Sequence, residues 1–323
     1  MRYYNLIISN TATGEIIKQY SSTIDGTLTG RVNGAALKVE FDIPVADLNT
    51  PMGNNFIRVW GIPFNDISES LNYNDQTITF AVGMSPGLPL ATATSKFAGL
   101  VVTGTIIQAF GNFQGTLLSL DLIMTGITMT PFKPKNLSFN WLKGTPLSQA
   151  IKQTIAVALP GYLCNVNISN KLVYTETQPG FYANLDQFAA YLYATSKAII
   201  TDKKYTGVRL SVANNVVTVS DNSTNQTPSI ILNLNDFTAQ PTWIDFATVQ
   251  FDVVSRSDLV PGIVVGLPPF LAANNQQSWS RYRDTSVFTG SGQVLRVRHV
   301  GNSRQLDGDS WKTVVDIAFT SQS

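Results

Sequence analysis

Charge is scarce in this sequence. Lysine, arginine, aspartate and glutamate make up 13% of its 323 residues, about half the usual share. The two signs nearly cancel, 22 basic against 21 acidic side chains, so no global field draws the chain to nucleic acid or to an anionic membrane. Cys164 is the one cysteine, which excludes an intrachain disulfide and a cysteine-based zinc site. His299 is the one histidine, so a transition-metal centre would rest on carboxylates almost alone, and no metal or cofactor is expected. Glutamate is confined to Glu15, Glu40, Glu69 and Glu176. A glycosidase needs two carboxylates about 5–10 Å apart in a cleft. Glu40 and Asp42 in "VEFD" share a strand face at i, i+2, and a solvated face explains them. No G-x-S-x-G elbow is present, and a His-dependent triad has only His299 to draw on, with Asp307 and Asp309 as its nearest carboxylates in sequence. Long apolar runs are missing too. The uncharged stretch between Lys96 and Asp121 is interrupted by Thr, Gln, Asn and "GNFQG", and falls short of the ~20 apolar residues of a spanning helix. Two strands around a turn describe it, and no membrane span is expected. The opening "MRYYNLIISN" has neither the apolar core nor the cleavage site of a signal peptide.

What is present is β-forming. Apolar residues are 44% and aromatics 10%, enough for real cores. The first 130 residues hold seven short β-rich runs, "NLIISN", "GEIIKQY", "ALKVEFDIPV", "NFIRVWGI", "QTITFAVGM", "GLVVTGTIIQAF" and "TLLSLDLIM", separated by Gly, Asn, Asp and Pro. In "QTITFAV", Ile78, Phe80 and Val82 share one face, as in a half-buried strand. Seven such runs predict a barrel or sandwich. "MTPFKPKN" (129–136) reads as a linker. Beyond it the pattern predicts a strand and a helix in "FNWLKGTPLSQAIKQTIAVALPG", with Thr145 as N-cap, Pro146 at the first helical position and Pro160-Gly161 as the stop. Leu147, Ala150, Ile151, Thr154, Ile155 and Ala158 form its apolar stripe. A second helix is predicted in "NLDQFAAYLYATSK", with Leu185, Phe188, Ala189 and Leu192 inward. A hairpin follows, "GVRLSVA" and "NVVTVSD", turning at Asn214-Asn215. From Gln240 the β pattern returns in "IDFATVQFDVVS", where Ala247, Val249, Phe251 and Val253 share a side, and in "LVPGIVVGLPPF". The fold class is therefore mainly β with an α+β insertion: a first β-barrel domain (1–130), a smaller α+β module (137–238) and a second β-barrel domain (239–323).

The last stretch, "VLRVRHVGNSRQLDGDSWKTVVDIAF", reads as a hairpin. Strict alternation puts Leu295, Val297 and His299 on one face and Arg296 and Arg298 on the other. Trp311, Thr313, Val315, Ile317 and Phe319 share a face of the second strand, with Lys312, Val314, Asp316 and Ala318 opposite. His299, Trp311 and Thr313 are read as structural residues of the second β domain, with no catalytic, cofactor-binding or metal role. Arg281, Arg283, Arg296, Arg298 and Arg304 make this quarter locally basic, which admits contact with nucleic acid in a lumen. Pairing of Arg296 or Arg298 with Asp316 across the strands is the simpler account. Tyr162, Tyr174, Phe181, Tyr182, Tyr191 and Tyr193 gather in the middle module. They suit sugar stacking, although most fall at core spacing.

The two β regions share a layout. Each has a strand ending in Gly, a Pro-rich loop, an F-x-G (Phe97-Ala98-Gly99; Phe288-Thr289-Gly290), a strand, a turn and a final strand. With "RVRHVGNSRQLDGDSWKTVVDIAF", "FNWLKGTPLSQAIKQTIAVALPGYLCNVNI" and "VSRSDLVPGIVVGLP", this order resembles the baseplate hub proteins of tailed bacteriophages, the late control protein D family, and their relatives in contractile injection machines. The resemblance spans most of the chain in element order. It implies a structural virion protein of the tail baseplate, assembled in the host cytoplasm: a homotrimer whose six barrels match a six-fold tail tube while a three-fold central spike attaches below. The partners so implied are the tail tube protein, the spike, other baseplate proteins and, transiently, exiting DNA. A contractile tail is implied by the resemblance alone. A receptor- or carbohydrate-binding tail-tip protein, or a cell-wall hydrolase, is the alternative.

Overall fold

The structure is a computed structural model. It describes residues 2–49, 55–84, 98–126, 136–202, 205–223, 228–245, 248–271, 273–274 and 287–319. Most of the linker "MTPFKPKN", the Pro-rich loop after β5, Phe97, Ala247, Arg281 and Arg283 lie outside these residues.

The first β unit is built from β1 (Arg2–Ser9), β2 (Ile16–Ser21), β3 (Lys38–Ala46), β4 (Asn55–Trp60), β5 (Thr77–Met84), β6 (Ala98–Gln114) and β7 (Leu117–Thr125). Each of the seven β-rich runs of the sequence supplies one strand. They lie in the order β3-β4-β7-β6-β5-β1-β2. Alternation places Ile8, Val39, Ile43, Ile57, Val59, Ile78, Phe80 and Leu122 in a shared core. A short helix, α1 (Phe64–Ser68), and a 3-10 turn at Ser70–Tyr73 join β4 to β5. The sequence pattern does not announce them: the segment has no apolar periodicity and is too short for one.

The α+β module follows: β8 (Leu137–Trp141), α2 (Leu147–Ala158), β9 (Leu163–Asn167), β10 (Gln178–Tyr182), α3 (Leu185–Ile199), β11 (Arg209–Ala213) and β12 (Val216–Ser220). Both helices bury the stripes read from the sequence: Leu147, Ala150, Ile151, Thr154 and Ile155 on α2, and Leu185, Phe188, Ala189 and Leu192 on α3. The start of α2 differs from expectation. Pro146 is the N-cap, and the Thr145 hydroxyl donates to the Leu142 carbonyl at 2.8 Å instead of capping the helix. A proline with extended backbone already sets the entry, and its missing N–H leaves one fewer group to satisfy. α3 is capped by Asn184, whose side chain accepts from the Gln187 N–H at 2.9 Å. The β11–β12 hairpin turns on Asn214 and Asn215, at φ of 50° and 63°, as the pair predicted.

The second β unit contains β13 (Ile230–Ile231), β14 (Thr242–Asp245), β15 (Thr248–Val254), β16 (Val264–Leu271), β17 (Ala273–Asn274), β18 (Val287–Asn302) and β19 (Trp311–Phe319). "IDFATVQFDVVS" is thus two strands, β14 and β15, hydrogen-bonded as an antiparallel pair. β16 pairs with β18 at one end of the order, and β17, one residue further along, pairs with β14 at the other. The chain therefore closes this unit on itself around Val249, Phe251, Val253, Val265, Val297, Val315 and Ile317.

Five strands of each β unit follow one another in the same order. The first contains the order β3-β4-β7-β6-β5, and the second contains β14-β15-β19-β18-β16. Registers coincide as well. Thr77↔Thr105, Thr105↔Thr125, Ile106↔Met124 and Gln108↔Ile123 in the first unit match Val264↔Gln293, Gln293↔Ala318, Val294↔Ile317 and Arg296↔Asp316 in the second. Both long strands carry a bulge at the same step, at Ile107 in β6 and at Leu295 in β18. An extra residue shifts every following side chain to the other face, so Val294 is buried and Leu295 is half-exposed, against the strict alternation read from the sequence. The units are also joined. β18 pairs with β3 from Arg296↔Ala46 to Asn302↔Glu40, giving one 14-stranded sheet.

Candidate functional site: the junction between the β units

The residues singled out in the closing hairpin meet at this junction. β18 sits between β19 of its own unit and β3 of the other. Its inward face carries Val297 and His299 and its outward face Arg296 and Arg298.

His299 lies opposite Ile43 of β3 and Thr313 of β19. Its Nδ1 is 3.0 Å from the Thr313 hydroxyl, which also accepts from the Arg256 N–H at 3.0 Å. Burial holds the imidazole neutral and pulls its pKa down to about 4, because the surrounding apolar atoms cannot solvate the cation. The sequence-adjacent carboxylates are engaged elsewhere. The Asp307 carboxylate accepts from the Gln305 side-chain amide, and Asp309 is 3.0 Å from Lys312 Nζ. No base–acid pair forms around His299, and among the described residues no group of three or more His, Cys, Asp or Glu side chains could hold a metal.

Beneath Thr313, Arg256 is itself buried, 3% exposed. Its guanidinium forks onto Asp258 at 2.9 and 2.6 Å and reaches Asp236 at 3.3 Å. A buried charge held by two carboxylates is a structural plug. It comes from the β15–β16 connection, the place that α1 takes in the first unit.

Trp311 lies in the core of the first unit, not the second. Its ring stands edge-on to Phe41 with centroids 5.0 Å apart, its Nε1–H donates to the Gly83 carbonyl at 3.1 Å, and the Arg2 guanidinium covers it at 5.7 Å. The close approach depends on Gly301, directly across from Trp311. A Cβ there would stand 2.1 Å from Phe41 Cε1 and 2.8 Å from Trp311 Cε3.

The outer face of the junction is ionic. Arg298 Nε donates to Asp42 at 2.7 Å across the β18–β3 seam, and Asn302 donates to Glu40 at 3.0 Å. Glu40 also accepts from the Trp60 indole and pairs with Lys38. The two same-face carboxylates are thus seam ties with cationic and amide partners. Arg296 pairs with Asp316 at 2.5 Å, one of the two pairings open in the sequence, and Arg304 donates to the Ala36 carbonyl. The module's aromatics are mostly packed: Tyr182, Tyr191, Phe139 and Phe188 stack together and Tyr174 meets Trp141, while Phe181 points outward. An apolar cavity of about 220 Å³ lies where the β11–β12 hairpin meets the first unit, lined by Val45, Val101, Ile107, Met124 and Val212, with no titratable side chain. No helix among the described residues is long and apolar enough to cross a membrane.

No family model matches the chain, and no curated protein does. Solved structures do. The 43 kDa tail protein of prophage MuSo2 from Shewanella oneidensis is 8% identical, with 98% of this chain covering 97% of that one at a TM-score of 0.51. A tail protein from Neisseria meningitidis MC58 is 10% identical over 98% and 96% of the two chains, at 0.49. An E. coli component of the type VI secretion system is 9% identical over 88% and 74%, at 0.45. At such identities the likeness speaks for the fold alone. This chain has the fold of a phage tail protein, carried here by a mainly β chain with an inserted α+β module.

Proposed function

We propose that this chain is a non-enzymatic structural protein of a phage tail: a homotrimeric baseplate hub that adapts a six-fold tail tube to a three-fold spike. One observation carries the reading. Two β units of the same strand order, register and bulge position lie side by side in one sheet. One polypeptide thereby offers two equivalent positions of a ring, and three copies offer six. Closed rings need matching, repeated surfaces instead of reactive side chains. The low charge and the absence of a polar reaction centre at His299 suit a surface meant to be covered. The tail tube protein, the spike and other baseplate proteins are the partners of this reading, with exiting DNA passing through, and the virion tail is its location. Mass in solution together with electron cryo-microscopy tests it: a trimer with six-fold quasi-symmetry is expected, and a stable monomer excluded from the particle contradicts it. Cell-wall digestion by the purified chain would contradict the non-enzymatic part.

A further inference from the structure

The ion pairs of the junction continue beyond it in both directions. Between β19 and β15, Lys312 Nζ is 2.7 Å from Asp252. From β18, Arg296 reaches Asp316 of β19 and Arg298 reaches Asp42 of β3. From β4, the Arg58 guanidinium forks onto Asp121 of β7 with both bonds at 2.6 Å. β15, β19, β18, β3, β4 and β7 are consecutive in the sheet. All four pairs lie on one face, because their chain neighbours Val253, Val315, Val297, Ile43, Val59 and Leu122 are turned into the two cores. One row of ion pairs thus crosses both β units and the seam.

The row has a direction. In each pair the cation is the more exposed partner: 45% against 7% for Arg296 and Asp316, 54% against 38% for Arg298 and Asp42, and by smaller margins for Arg58 and Lys312. The carboxylates lie nearer the strands and the cationic groups stand outside them. At a distance the paired charges cancel, and salt screens what is left. A group that comes into contact meets the cations first. A polyanion on such a face finds partners for its phosphates but gains little net attraction, since a carboxylate behind each cation already neutralises it.

We propose that double-stranded DNA slides over this face, with Arg296 and Arg298 touching its phosphates and Asp42 and Asp316 keeping the hold weak. It deepens the tail reading above, on which it rests for the source of the DNA. The contact itself belongs to the single chain. A duplex that travels along a wall needs contacts that form and break readily, and an unmasked basic row holds it instead.

Fluorescence anisotropy of a short DNA duplex of mixed sequence, titrated with the full chain at low and at physiological salt, decides the matter. Wild type is expected to bind at low salt only, and more weakly than the ~1 μM of a strong non-specific binder. Asp42→Asn combined with Asp316→Asn should tighten binding about tenfold or more and steepen its loss on added salt. Arg296→Gln combined with Arg298→Gln should abolish it. Glu15→Gln combined with Glu176→Gln raises the net charge equally at exposed sites off this face, and should leave binding unchanged. Equal tightening by that control pair means that net charge alone is at work, and overturns the masked face. So does wild-type binding that survives the loss of both arginines. Where the melting temperature shows that Asp316→Asn has disturbed the fold, Asp42→Asn alone makes the comparison, and an unchanged affinity overturns the masked face. A wild-type monomer with the expected pattern of binding upholds this face and overturns the hub.

Discussion

The indole of Trp311 stands edge-on to the ring of Phe41, 5.0 Å between centroids, although one belongs to the last strand and the other to the third. The contact carries the last strand into the core of the first unit, so stability of either unit depends on the other. Replacing Trp311 by Ala removes a buried aromatic of this kind and is expected to cost about 3–5 kcal/mol. Trp311→Phe, losing the bond to the Gly83 carbonyl while keeping most of the ring packing, should cost less. Both are read from denaturant midpoints, and melting unchanged by Trp311→Ala contradicts the placement.

Gly301 is the second half of that contact. Its missing side chain is what admits Phe41 and Trp311. Gly301→Ala should destabilise by roughly 1–3 kcal/mol, the usual range for overpacking a tight site. Gly14→Ala tests the other ground for glycine, since its φ of 74° is left-handed and nothing lies within 4 Å of an added Cβ. It should cost about 1 kcal/mol through the backbone alone.

His299 makes a pH-dependent contribution whose sign is set by its lowered pKa. Its ordinary value of 6.5 falls to about 4 in the fold. The unfolded chain takes up a proton that the native one refuses, so this share of stability is intact above pH 6.5 and is lost as pH falls towards 4. The full loss is on the order of 3 kcal/mol at 1.36 kcal/mol for each pKa unit. Unfolding of wild type and His299→Gln at pH 7 and pH 4.5 isolates it: the wild-type advantage should shrink at the lower pH. A constant gap contradicts a buried neutral imidazole.

Arg256 differs from the surface arginines in what it leaves behind. Arg256→Ala strands Asp236, itself buried, and should cost about 3–5 kcal/mol. Arg298 and Asp42 are 54% and 38% exposed at their side chains, so Arg298→Ala should cost under about 1 kcal/mol. Equal losses in thermal unfolding would contradict the plug.

Much of the fold was legible because period and punctuation are local. Ile78, Phe80 and Val82 alternate, Leu147 to Ile155 recur at helical spacing, and Asn214-Asn215 turns the hairpin that its chemistry demands. The order of elements also exposed the repeat. Three things were not legible. α1 is five residues long and leaves no periodic trace. The bulge at Leu295 looks like any other strand residue, yet it reverses the faces around it. The seam between β18 and β3 joins Arg298 to Asp42 across 256 positions of sequence, and alternation within one strand says nothing of its partner. For that reason Trp311 reads as a residue of its own unit, while the fold gives it to the other. Arg298 likewise had its carboxylate in the third strand, a partner outside the hairpin.

Electron cryo-microscopy of the purified full-length chain tests the central claim most directly. The account predicts a ring of three chains in which six β units alternate, first unit and second unit, and superpose strand for strand after rotations of about 60°, the repeat extended by closed symmetry. A particle with one chain, or a trimer whose two β units occupy inequivalent positions off the ring, contradicts it.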